Sequence, residues 1–134
     1  MIPFKEENKI KGVIKGNTPS KSNCYRIITM KSKAGKVHSS LAKTSVLKKY
    51  EESFYIQLPP SLRNLNIEGY FHFHIDVYYP SQRSDLDNSL KVVLDCLQKT
   101  KTIKNDNKCT KIVANKALDK DNPRIEFEII PVNL

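Results

Sequence analysis

Strict alternation of apolar and polar residues marks one segment of the chain more clearly than any other, residues 70–79. Because successive side chains of a strand point to opposite faces, this pattern predicts a β-strand with one apolar and one polar face. The apolar face comprises Phe71, Phe73, Ile75, Val77 and Tyr79, and the polar face comprises His72, His74, Asp76 and Tyr78. Similar patterns predict strands at 9–14, 24–30, 109–117 and 124–130, and residues 36–40 can complete a hairpin with 24–30 across a turn at 31–36.

Two segments have apolar residues at helical spacing. The clearer one is 86–99, whose apolar stripe consists of Leu86, Leu90, Val93, Leu94 and Leu97. A second helix is predicted at 41–57 from Leu41, Val46, Leu47, Tyr50, Phe54 and Leu58, and it ends at Pro59 and Pro60. The resulting order, β-β-α-β-α-β-β, predicts an α+β fold in a small single mixed α/β domain spanning residues 1–134.

The charge balance narrows the class of function. The chain carries 23 Lys and Arg against 14 Asp and Glu, a formal net charge of +9. Such an excess attracts polyanions, and nucleic acid is the commonest polyanionic partner of a small basic protein. Binding to an anionic membrane surface would need a basic amphipathic helix with a broad apolar face, which the sequence lacks, and no apolar run approaches the ~20 residues of a membrane span.

The three cysteines, Cys24, Cys96 and Cys109, are scattered and form no C-x-x-C pair. A disulfide framework or a zinc site needs paired or regularly spaced cysteines, so we expect reduced thiols. The N-terminal residues also lack the hydrophobic core of a signal peptide. Together these features predict a cytoplasmic protein.

Candidate chemistry is concentrated where the 70–79 strand gives way to the 86–99 helix. Asp85 and Asp87 are two residues apart, so in a nearly extended junction their carboxylates can aim at one point. Hard divalent cations such as Mg²⁺ prefer oxygen ligands of this kind. Lys91 lies one helical turn after Asp87 and can stabilise negative charge on a phosphate, and Asp106 is a candidate third carboxylate if its loop folds back.

Each of these residues also has a purely structural interpretation. Ser84 or Asp85 can cap the helix, and Asp87 can offset the helix dipole. The i, i+4, i+8 row of Asp87, Lys91 and Asp95 can be a solvent-exposed face with ion pairs, and Asp106 between two asparagines is typical of a turn. The row of His72, His74 and Asp76 has the spacing of metal ligands on one strand face, but a half-exposed strand has the same pattern.

The motif Arg83-Ser84-Asp85-Leu86-Asp87-Asn88-Ser89-Leu90-Lys91, followed by an apolar helix and a further Asp, resembles the central motif of the RusA family of Holliday-junction resolvases. The resemblance is good from Tyr78 to about Ile112. Weaker similarities lie at 19–26, before and into a Tyr/Arg strand, and at 35–39. Two departures stand out: the family's typical run of arginines is represented here by Gln82-Arg83-Ser84, and its later double Asp by Asn105-Asp106.

The resemblance implies a small mixed α/β domain that forms an intertwined homodimer. It assigns Asp85, Asp87 and Asp106 to an essential acidic cluster that binds metal, Lys91 to a catalytic lysine, and Asp95 to structural support. The basic residues expected to contact DNA are Lys21, Arg26, Lys36, Arg83, Lys101 and Lys104.

The resulting hypothesis is a Mg²⁺-dependent endodeoxyribonuclease that resolves four-way DNA junctions by paired symmetric nicks in recombination and repair. Two alternatives remain open at this point. One is a basic nucleic-acid-binding module without catalysis, whose binding would depend on salt but not on Mg²⁺. The other is a metal nuclease that acts on other branched or duplex DNA. An RNA-directed basic protein is less favoured, because the sequence lacks an aromatic stacking signature such as the RNP motif.

Overall fold

The computed structural model describes residues 10–20 and 24–133, with only the backbone described for Met30 and His38. The strands are β1 (Ile10–Lys15), β2 (Tyr25–Lys31), β3 (Val37–Lys43), β4 (Phe71–Tyr79), β5 (Cys109–Leu118) and β6 (Arg124–Pro131). The helices are α1 (Ser45–Gln57) and α2 (Leu86–Lys99), and short 3₁₀ turns occur at Pro60–Leu62 and Asp106–Lys108. The predicted small mixed α/β domain is confirmed.

Four strands form one sheet in the order β1-β6-β4-β5. Strand β4 pairs antiparallel with β6 and parallel with β5, so α2 is the crossover between two parallel neighbours. Strand β1 pairs antiparallel with β6 at the far edge. The segment that connects β4 to α2 therefore starts from the interior of the sheet.

The core lies on one face of this sheet, here called the inner face. All five apolar residues predicted for β4, from Phe71 to Tyr79, are at most 2% exposed, which confirms the alternation. Ile125, Phe127 and Ile129 of β6 continue the face, and Val93 and Leu97 of α2 pack in the same core. Burying this face against the helices supplies most of the free energy that holds the domain together.

Strands β2 and β3 form a separate two-stranded hairpin, with Ile27 opposite Leu41. The prediction of a helix from residue 41 is wrong at its start, because residues 37–43 are taken up by pairing with β2. Helix α1 begins at Ser45, where the side chain of Thr44 accepts from the backbone N–H of Leu47 at 3.4 Å. The hairpin strand predicted at 36–40 is thus present as β3, and three strands precede α1 where the prediction counted two.

Cys24, Cys96 and Cys109 are free thiols, as predicted. Burial raises the pKa of Cys96 to about 12, with nearby carboxylates adding to the rise. Neither of the helices in the described ranges is long and apolar enough to cross a membrane.

Candidate active site

Asp85 occupies the N-cap position of α2, but its side chain does not cap the helix. Its backbone is extended (φ −94°, ψ 128°), and no side-chain hydrogen bond joins it to the first turn. Neither Ser84 nor Asp85 therefore provides the predicted side-chain cap. The carboxylate of Asp85 is exposed, and its oxygens are available for another ligand.

Asp87 lies in the first turn of α2, exposed to solvent, and accepts from the backbone N–H of Asn88 at 3.0 Å. Both carboxylates lie near the phenol of Tyr79 at the end of β4. Burial raises the pKa of Tyr79, a hydrogen bond with Ser89 opposes this, and the negative charges of Asp85 and Asp87 raise the pKa further. The two aspartates thus act on the same hydroxyl, at one end of α2.

Lys91 connects α2 to the segment that follows the helix. Its ammonium donates to Asp106 at 2.7 Å and forms an ion pair with Asp95 at 3.2 Å. The hydrogen bond with Asp106 and the charge of Asp95 raise the pKa of Lys91 against the effect of burial, so the side chain remains an ammonium ion. The predicted i, i+4 ion pair exists between Lys91 and Asp95, while no ion pair of the described residues joins Lys91 to Asp87.

Asp106 does fold back towards α2. Its backbone N–H donates to the side-chain oxygen of Gln98 at 3.0 Å, and its carboxylate accepts a hydrogen bond from the ammonium of Lys91. Asn105, which stands where the RusA motif has the first of two acids, caps the 3₁₀ turn by accepting from the N–H of Asn107 at 3.0 Å. Asp106 therefore lies in a turn, as the structural interpretation predicted, and also approaches α2, as the catalytic interpretation predicted.

The sequence model of the RusA endodeoxyribonucleases matches residues 27–130, from β2 to β6. This match covers most of the chain and every element of the candidate site. The chain belongs to the RusA family of endodeoxyribonucleases. No curated protein matches it. The family's general activity is that of a Holliday-junction-resolving endodeoxyribonuclease, a phosphodiester hydrolase.

Endonucleases of the RusA family generally depend on a divalent metal ion. In the described part of this RusA chain, no three His, Cys, Asp or Glu side chains are grouped closely enough to hold a metal ion. Two carboxylates nevertheless suit such an ion chemically, because Asp85 makes no cap bond and both Asp85 and Asp87 are exposed. The third predicted carboxylate, Asp106, is held by Lys91.

The row of His72, His74 and Asp76 lies on the outer face of the sheet and is half-buried. Asp76 accepts from the side-chain amide of Asn115 at 3.0 Å. Within the described ranges, no group of three possible metal ligands includes these residues.

The basic residues predicted to bind DNA fall into two exposed groups. Arg83 precedes α2, and Lys101 and Lys104 follow it in the chain. Arg26 and Lys36 belong instead to the β2–β3 hairpin, on β2 and in its turn. Lys21 lies outside the described residues.

Several residues that organise the site were not predicted from sequence. Gln98 holds the backbone of Asp106, Tyr79 donates to the carbonyl oxygen of Asp85 at 3.3 Å, and Lys116 reaches loop 80–85 from β5. Tyr79 was assigned only to the apolar face of its strand. Gln98 lies on α2 itself, and its partner Asp106 comes from the turn after the helix. Lys116 belongs to β5, whose approach to α2 is set by the sheet order, which local periodicity does not encode.

Proposed function

We propose that this RusA chain is a Mg²⁺-dependent resolvase that cuts four-way DNA junctions by paired symmetric nicks in recombination and repair. The supporting observation is the 2.7 Å contact that brings Asp106 to Lys91, on the helix that begins at Asp85 and Asp87. In an endodeoxyribonuclease of this family, such a grouping of carboxylates with a charged lysine suits phosphodiester cleavage.

Cleavage needs an attacking water and compensation of the negative charge that grows on the phosphate. In the proposal, Asp85, Asp87 and Asp106 hold Mg²⁺ through their oxygens. The chemistry supplied by a divalent ion in such a site is acidification of the attacking water and neutralisation of phosphate charge. Lys91 would neutralise charge on the phosphate or on the leaving oxygen, as an ammonium ion on the helix that begins at Asp85 and Asp87.

DNA binding is proposed for both groups of basic residues. Arg83, Lys101 and Lys104 would hold phosphates of the junction, because they are exposed and lie directly before and after α2. Arg26 and Lys36 would extend this contact along the hairpin, and Lys21 precedes it in sequence. Contacts of this kind release counterions, so junction affinity should fall steeply with salt.

A homodimer is proposed because a four-way junction has two-fold symmetry and needs two matched nicks. The β2–β3 hairpin supports this. Ile27 and Leu41 face each other across it and are 74% and 71% exposed, and an isolated hairpin is marginally stable in water. Residues 24–43 also contain no Asp or Glu, whereas the outer sheet face carries Asp76, Glu126 and Glu128, so a second copy would offer charge complementarity.

The first experiment compares a synthetic four-way junction with a matched linear duplex, each with Mg²⁺ and with EDTA. We expect symmetric nicks in the junction only, lost with EDTA and in Asp87→Asn. Cleavage of the linear duplex at an equal rate would indicate a different nuclease, and binding without any cut would indicate a non-catalytic module. Near wild-type cleavage by Asp87→Asn would contradict the site assignment.

Light scattering at micromolar concentration tests the dimer. We expect twice the mass of the chain, and weaker association for Leu41→Ser, which removes apolar area from the hairpin face. A monomer mass for the wild-type protein would contradict the homodimer.

A further inference from the structure

Loop 80–85, which ends at Asp85, is held by a lysine from a distant strand. Lys116 lies on β5, where it pairs with Val77 of β4. Its ammonium donates to the carbonyl oxygen of Gln82 at 2.8 Å and to that of Ser84 at 2.6 Å. Because the carbonyl of Ser84 belongs to the planar peptide unit that leads into Asp85, these bonds fix the backbone directly before this residue.

The charge of Lys116 is directed at the loop and not at an acid. No carboxylate of the described residues lies within ion-pair distance of its ammonium, in contrast to Lys91, which has two. A charged donor binds neutral carbonyl oxygens more strongly than a neutral donor does. The ammonium also lies 5.7 Å from the ring centroid of Tyr79, whose hydroxyl donates to the carbonyl oxygen of Asp85 at 3.3 Å.

Two side chains from the sheet thus hold three carbonyl oxygens of the segment 82–85. Lys116 takes two of them and Tyr79 takes the third. The side chain of Asp85, by contrast, makes no cap bond and is exposed. The position of its Cα and the direction of its Cα–Cβ bond are therefore set by the backbone, which these donors hold from the β4–β5 side.

We propose that Lys116 is a positioning residue that orders loop 80–85 so that the carboxylate of Asp85 can take part in holding the divalent ion. This inference rests on the proposed metal site but concerns a residue outside the recognised motif. Groups that orient a metal ligand typically change metal affinity by about 10- to 100-fold when they are removed. Loss of Lys116 should therefore weaken metal binding without removing a ligand.

The test is a titration of the full-length protein with Mn²⁺, followed through the electron paramagnetic resonance signal of the free ion. We expect Lys116→Met to raise the Kd for Mn²⁺ about 10-fold or more, and Lys116→Arg to recover part of the loss because a guanidinium can also donate to two carbonyls. Lys111→Met is the matched control. It removes the same charge from the same strand, but Lys111 pairs with His72, away from the loop, and should leave the Kd unchanged.

A double-mutant cycle with Asp85→Asn separates positioning from a general loss of charge or of stability. If Lys116 acts through Asp85, adding Lys116→Met to Asp85→Asn has little further effect on the Kd for Mn²⁺. Additive effects would overturn the proposal. So would equal effects of Lys116→Met and Lys111→Met, or an unchanged Kd in a folded Lys116→Met protein.

Junction cleavage keeps the two proposals distinguishable. Suppose that the Mn²⁺ affinities of wild type and variants follow the expected double-mutant cycle, but the wild-type protein cuts no junction. This result would contradict the proposed function and support the role of Lys116. A protein that cuts junctions, with a half-saturating Mg²⁺ concentration equal in wild type and Lys116→Met, would support the function and overturn the role of Lys116.

Discussion

The ammonium of Lys91, in the middle of α2, lies 2.7 Å from the carboxylate of Asp106, which belongs to the 3₁₀ turn after that helix. The pair is partly exposed, with 45% and 25% of the two side chains accessible. Exposed ion pairs contribute only about 0–1 kcal/mol to stability. The contact therefore contributes little to folding stability, which is compatible with the catalytic role proposed for Lys91.

Replacing Lys91 by Met should accordingly separate activity from stability. We expect junction cleavage to fall by about 10²- to 10³-fold, the usual cost of losing one group that stabilises transition-state charge. The free energy of unfolding should change by no more than about 1 kcal/mol. Single-turnover cleavage and urea denaturation measure the two effects. Lys49→Met, at an exposed position of α1, is the charge-matched control. Equal cleavage rates of Lys91→Met and Lys49→Met would contradict the catalytic role.

Asp85→Ala distinguishes a metal ligand from a helix cap. Because the side chain makes no cap bond, we expect the free energy of unfolding to stay within about 0.5 kcal/mol of wild type. Cleavage should fall by about 10²-fold or more. Thr44→Ala is the contrasting variant, since Thr44 does cap α1, and it should cost about 1 kcal/mol while preserving cleavage. Equal destabilisation by the two variants would restore the capping interpretation.

Glu51 predicts a specific pH dependence of stability. Its carboxylate accepts from Lys99, and from Lys43 at 3.1 Å. Burial alone would raise the pKa of Glu51, but the hydrogen bonds with the two lysines outweigh it and lower the pKa. The folded state therefore binds this proton less tightly than the unfolded state, so Glu51 stabilises the fold above its unfolded pKa of about 4.3 and loses this effect as the pH falls through the folded value.

Urea denaturation of wild type and Glu51→Gln across pH 3–8 measures this effect, the range bracketing an unfolded Glu pKa of about 4.3. We expect wild type to be the more stable protein at neutral pH and the difference to shrink in acid. Glu52→Gln is the control, because Glu52 is exposed and forms no ion pair with a described residue. A difference that is constant with pH, or that grows in acid, would contradict the assignment.

Gly12 on β1 is predicted to be intolerant of any side chain. A Cβ there would lie 2.5 Å from Cζ of Phe127, which is 2% exposed and has the rings of Phe54 and Phe73 on its flanks. Gly12→Ala should therefore destabilise the fold by about 1–3 kcal/mol. Gly69→Ala meets nothing within 4 Å and should change stability by no more than about 0.5 kcal/mol. Thermal unfolding of both variants measures the difference. Equal melting temperatures of Gly12→Ala and Gly69→Ala would contradict the predicted crowding against Phe127.

Much of the fold was accessible from sequence because its core elements are strongly periodic. The alternation at 70–79 gave β4 with the correct face buried, and the stripe at 86–99 gave α2 with the bounds Leu86–Lys99. The start of α1 was not accessible in this way. Leu41 fits a helical stripe by spacing, but its backbone is used in pairing with Ile27, a contact made across the hairpin.

The sequence by itself determined which residues can do chemistry at the start of α2, because Asp85, Asp87 and Lys91 are neighbours along the chain. Only the tertiary structure decided that Asp106 meets Lys91, that the side chain of Asp85 makes no cap bond, and that Lys116 holds loop 80–85. The physical reason is that these contacts depend on the order β1-β6-β4-β5, which places β5 beside β4. That order results from packing the whole inner face of the sheet against two helices. Every core residue contributes to this packing, and no local sequence pattern specifies it.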